Sequence, residues 1–238
     1  MGRLSFCQIH DKPDSDVTAS KHSVAKRHTG CRLGITIAVA GTVLAITPVA
    51  NPGHGSTATA IAPASYGHAV PVSLIGSGTF SLPDPTSKAI TYNPALVPVD
   101  AAILASMGPS GADYSRTVGT LTVAGLLPNR GYAVHAHTKP CGTSGTDAGP
   151  HYQNHVDPAA TPQKPSTDPF YANPHNEIWL DVRTDAAGGG TSRTAVPFAF
   201  TDRMPGSIVI HEAMGTATAP GQAGQAGARI ACLTLSRE

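Results

Sequence analysis

Polar and apolar residues alternate along Thr117–Ala124 and again along Tyr132–His137. That period of two is the signature of strands with one buried face. Leu127–Gly131 between them reads as a turn, so the two runs are expected to pair as neighbours. Ala89–Tyr92 is another short strand, and a first strand is expected near Ala69–Ile75. Asp100–Met107 is a further candidate, although its alanines leave strand and helix both open. Downstream, Glu177–Thr184, Thr191–Phe200, Ser207–His211 and Ala228–Leu235 read as strands, with turns at Asp185–Gly190 and Asp202–Gly206. No segment keeps a helical period, and there is no internal repeat. Short strands at this spacing indicate an antiparallel sandwich or barrel. Residues 138–175 and 215–227 interrupt the pattern as two long loops; a loop as long as the first is usually functional or disordered in a compact domain, and its histidines favour the functional reading.

The N-terminal part has a different pattern. Residues 1–32 are polar and basic, and Leu33–Thr47 is an uncharged apolar run followed by Pro48 and small residues. A basic flank, an apolar core and a small-residue exit describe an export signal, with Val49-Ala50 or Ala58-Thr59-Ala60 as cleavage sites. A retained membrane anchor is the alternative, but the run is short for a span of about 20 apolar residues. The chain thus divides into a leader (1–60), a flexible lead-in rich in Pro, Gly, Ser, Thr and Ala (61–88), and a main domain (89–238). His54 and His68 belong to the first two parts and read as solvated bystanders.

Composition agrees with short strands and many turns: 25 glycines and 21 prolines occur without a collagen period. The net charge of +1 is uneven, since residues 61–238 carry ten Lys/Arg against twelve Asp/Glu. A slightly acidic domain without a basic stripe excludes a nucleic-acid surface. Contact with a membrane is expected only through an uncleaved leader. Nothing in the sequence sets an oligomeric state.

Candidate chemistry lies at the end of the second alternating run. His135 and His137 are two apart on a strand, so they share one face while Ala136 takes the other. Two imidazoles on one face suit a shared copper or zinc ion; two surface histidines on an edge strand are the structural alternative. The first long loop adds His151, His155 and His175, and Ser207–His211 ends on another histidine.

The order of these elements is specific. His135-Ala136-His137, Cys141, Gly149-Pro150-His151, Ile210-His211-Glu212 and Gly227–Cys232 together resemble the copper–zinc superoxide dismutase family over residues 89–238. The resemblance implies a Greek-key β-sandwich, or flattened barrel, of about eight antiparallel strands. It implies four copper ligands, His135, His137, His151 and His211, with superoxide as substrate. One superoxide would leave as dioxygen, and a second, with two protons, as hydrogen peroxide. By position His151 matches the family's bridging histidine, which releases copper and takes a proton. Arg229, three residues before Cys232, matches the arginine that attracts the anion; a guanidinium is a fixed cation with several donors. Cys141 and Cys232 match the family disulfide, and two remaining cysteines in an exported protein usually pair. That bond would close about 90 residues and contribute a few kcal/mol. Cys7 and Cys31 belong to the leader.

The resemblance stops short of a complete zinc site. His155 and His175 are the only further loop histidines, and Ile178 stands where an aspartate ligand is expected. Glu177 and Asp181 are nearby but do not match the pattern. The second loop, Met214–Ala228, holds no charged residue, so another group must orient the ligating histidines. These departures are similar to the copper-only branch of the family. The expected function is therefore an exported copper-dependent superoxide dismutase-like enzyme. A copper buffer or carrier on the same fold is the alternative, and a disulfide-stapled adhesion sandwich is a third reading.

Overall fold

A computed structural model describes residues 72–238, so the leader with its 33–47 apolar run, both proposed cleavage sites, Cys7, Cys31, His54 and His68 lie outside the described residues. The described chain is all-β and antiparallel. One sheet contains β1 (Leu74–Thr79), β3 (Ala102–Ser110), β4 (Arg116–Ala124), β8 (Gly190–Val196) and β11 (Ser236–Arg237), in the order β11-β1-β3-β4-β8. The second sheet orders β2 (Ala89–Thr91), β10 (Arg229–Thr234), β9 (Ser207–His211) and β6 (Val134–His137) as β2-β10-β9-β6. A two-stranded ribbon pairs β5 (Gly131–Tyr132) with β7 (Val182–Arg183). The sheets form a sandwich and do not close into the flattened barrel that was the other expectation. Eleven strands stand against about eight expected, and three of them, β5, β7 and β11, are two residues long. No described helix is long and apolar enough to cross a membrane.

The alternating runs became strands for the expected reason. In β4, Thr117, Gly119, Leu121 and Val123 are buried while the residues between them are more exposed. Leu121 and Val123 meet Val134, Ala136, Ile208, Ile210 and Leu233 in the core between the sheets. Transfer of such side chains from water stabilises the fold by about 1.5–3 kcal/mol each. The ambiguous alanine-rich stretch is strand β3, paired along its whole length with β4.

Four expectations need correction. Tyr132–His137 does not pair with Thr117–Ala124. Residues 126–129 bond to the Asp185–Gly188 turn instead, through Leu126 N–H to Gly188 O and Asn129 N–H to Asp185 O. The chain therefore crosses to the other sheet, where β6 pairs with β9. Glu177–Thr184 is regular only at β7; Glu177 and Ile178 are both buried, which a flat strand with one covered face does not allow. The first strand lies at Leu74–Thr79, so the sandwich takes in residues assigned to the lead-in. The strand expected over Thr191–Phe200 ends at Val196, because Pro197 has no N–H for the ladder.

Both faces of the β6–β9–β10 sheet are covered. Val134, Ala136, Ile208 and Ile210 face the main core. On the other face Val209 and Cys232 form a small cluster with Ala148, Tyr92 and Cys141 beneath the first long loop. His135, His137 and His211 share that outer face by the period of two.

Candidate metal centre

Four histidines from three places in the chain converge on that outer face. His135 and His137 come from β6, His211 from the end of β9, and His151 from the first long loop, held to β6 by a bridge to His137. One ring nitrogen of each lies within 4.8 Å of those of the other three. His135 Nδ1 is 3.0 Å from His151 Nε2, and His137 Nε2 is 3.2 Å from His211 Nε2. His135 and His137 are 0% exposed and His211 3% exposed; the His151 side chain keeps 19% of its surface.

The outward nitrogen of every ring has a partner. His137 Nδ1 lies 2.9 Å from the Gly149 carbonyl, and His211 Nδ1 3.3 Å from that of Gly227. His151 Nδ1 is 3.0 Å from Glu177 Oε2. His135 Nε2 is 2.6 Å from the Thr216 hydroxyl, which donates to Asp181 Oδ1 at 2.8 Å. Carbonyl and carboxylate oxygens only accept, so His137, His211 and His151 donate outward and turn lone pairs inward. Two facing lone pairs about 3 Å apart repel unless a cation lies between them. Burial, and then the neighbouring histidines, hold His135 and His137 well below the usual imidazole value. Burial likewise pushes His211 down to about 3. Neutral imidazole is the form that ligates metals, so the donor set fits a metal ion.

The loops make this arrangement possible. Gly149 sits at φ 72°, in the left-handed region, and a Cβ there would lie 2.5 Å from the Thr138 hydroxyl. Only glycine turns its carbonyl to His137 at that point without strain. The Cys141–Cys232 disulfide ties the first loop to β10. Tyr92 donates its hydroxyl to Gly142 O at 2.8 Å, and Cys141 N–H donates to Thr234 Oγ1 at 3.1 Å. Arg229 is the cross-strand partner of His211, next to a register shift in β10. Its guanidinium donates to Gly145 O at 2.9 Å. His151, His211, Arg229, Glu177, Lys139 and Arg203 line one cleft of about 810 Å³.

His155 and His175 stand apart from the four. Both are exposed and line a separate surface hollow with Phe170 and Pro197. Glu177 and Asp181, set aside in the sequence as metal ligands, are the groups that orient His151 and His135. Glu177 is 2% exposed and accepts from His151, from Trp179 Nε1 at 2.7 Å and from Gln153 Nε2 at 2.8 Å. Thr216 gave no signal: it is one hydroxyl in an uncharged, glycine-rich loop.

No family model matches the chain, and no curated protein matches it. Solved structures do match. One of them, described as a crystal structure analysis of the clock protein EA4, is similar over 72% of this chain and 98% of that one, with 16% identity and a TM-score of 0.42.

Proposed function

We propose that the four-histidine centre binds copper and that the domain removes superoxide, as a dismutase similar to the copper-only branch of the copper–zinc superoxide dismutases. The observation that carries this reading is the set of four inward imidazole nitrogens within 4.8 Å, opening on a cleft lined by Arg229. Four nitrogen donors suit copper, whose bound form would supply a one-electron redox couple. The other roles belong to the chain. Arg229, held by Gly145, offers the cleft a fixed positive charge for a small anion. His151 is the most accessible ligand, and its Nδ1 proton is held by Glu177, so Nε2 is the atom at which a proton is exchanged. His135 and His137, buried and neutral, exclude water from the far side.

Copper alone suffices in this reading. The Nδ1 of His151, which would face a second metal, is engaged by Glu177, and His155 and His175 point to a different hollow. The disulfide and the leader pattern support export from the cell. The test is metal analysis of the purified protein by mass spectrometry, followed by superoxide removal after copper loading. Stoichiometric copper is expected, with activity in the wild type that is lowered in Arg229→Ala while copper is retained. Activity no higher than that of a His211→Ala control would leave a copper carrier; no stoichiometric copper would leave an adhesion sandwich.

A further inference from the structure

We infer that Thr216 is a positioning residue of the centre: its hydroxyl, committed as an acceptor by Asp181, holds His135 in the tautomer that turns Nδ1 inward. Thr216 is gripped twice by one carboxylate, through its N–H to Asp181 Oδ2 at 2.7 Å and its hydroxyl to Asp181 Oδ1 at 2.8 Å. Asp181 Oδ1 also accepts the N–H of Val134, the residue before His135, at 3.0 Å. A threonine hydroxyl has one proton. With that proton given to Asp181, the oxygen 2.6 Å from His135 Nε2 accepts, and Nε2 carries the hydrogen.

Without Thr216 the pair chemistry reverses. His151 donates Nδ1–H to Glu177, so its Nε2 is a bare lone pair 3.0 Å from His135 Nδ1. Freed from Thr216, His135 gains a hydrogen bond by moving its proton to Nδ1 and donating to His151. That bond consumes both lone pairs a metal needs from these two rings. The centre then closes on itself. Thr216 also joins the second loop to β6, so this loop acts on the metal centre without carrying a charge.

The inference rests on the metal reading of the four histidines, yet its first readout needs no metal. Long-range proton–nitrogen NMR of the metal-free protein is expected to show His135 as the Nε2–H tautomer in the wild type and in Thr216→Ser. In Thr216→Val the Nδ1–H form should dominate; Thr216→Ala, which adds no bulk, gives the same reading if the valine variant does not fold. Copper affinity, from competition with a chromophoric chelator, should fall roughly 10–100-fold in the variants lacking the hydroxyl and recover in Thr216→Ser. An unchanged tautomer in Thr216→Val or Thr216→Ala, or a serine variant no better than alanine, overturns the inference. A wild type that binds copper without removing superoxide sinks the proposed enzyme and leaves the role of Thr216 standing.

Discussion

Replacing Glu177 by glutamine tests whether a buried carboxylate holds the exchangeable ligand. Glu177 accepts three hydrogen bonds, two at Oε2 from His151 and Trp179 and one at Oε1 from Gln153. A glutamine supplies one oxygen and one NH2 group. With its oxygen at the Oε2 position, the NH2 faces the Gln153 amide, donor against donor. Gln153 cannot turn over to help, because its own Oε1 already accepts Asp157 N–H at 3.0 Å. One bond is therefore lost, and two change from charged to neutral acceptors. Hydrogen bonds to charged groups are worth about 1.5–3 kcal/mol and neutral ones about 1 kcal/mol. Relief from burying a charge offsets part of the loss. The net destabilisation of the metal-free protein should be about 1–3 kcal/mol, read from urea denaturation. A neutral acceptor also holds the His151 ring less firmly in its ligating orientation, so copper affinity should fall about tenfold. Affinity within twofold of wild type, beside a clear loss of stability, would refute the argument: Glu177 would then only pack the loop.

Acidification of the metal-free protein should destabilise it between pH 6.5 and 3. The unfolded chain protonates His211 near pH 6.5, while burial delays this in the fold to about 3. Stability is thus complete above the unfolded value and falls by about 1.4 kcal/mol per pH unit for that residue, about 5 kcal/mol in total. His135 and His137 act in the same direction, and a denaturation midpoint that stays flat from pH 6.5 to 4 would contradict this. Replacing Cys141 and Cys232 by serine opens a crosslink spanning 91 residues and should cost about 4–5 kcal/mol, measured by urea denaturation against the oxidised protein. Arg229→Ala should keep its copper yet lower kcat/KM for superoxide roughly tenfold or more, as expected when a cleft loses its attracting charge; an unchanged kcat/KM would remove Arg229 from the reaction.

Alternation along the strands revealed where the ligands face, and that much followed from the residues alone. His135 and His137 share the outer face because a strand repeats every two residues, and Ala136 faces the core as that period requires. The pairing of β6 was illegible, because its period of two fits either sheet. Bonds from Leu126 and Asn129 to the distant Asp185–Gly188 turn decided it. Non-local bonds of that kind leave no mark on either segment.

The same division holds inside the centre. A ligating ring needs one nitrogen inward and an acceptor at the other, and the four acceptors are of unlike kinds. Two are backbone carbonyls, Gly149 and Gly227, which any residue possesses. A third is the carboxylate of Glu177, 26 residues beyond His151 and presented where the strand pattern breaks. The fourth is a hydroxyl in an uncharged loop, whose direction is set by Asp181, 35 residues away. Imidazoles announce themselves by residue type, whereas the groups that orient them are defined only by where the fold delivers an oxygen. A centre whose rings are oriented by a carboxylate and a hydroxyl therefore reads in the sequence as an incomplete one. In space each ring has a partner at its outer nitrogen, and for His151 and His135 that partner comes from a side chain the strand pattern does not mark.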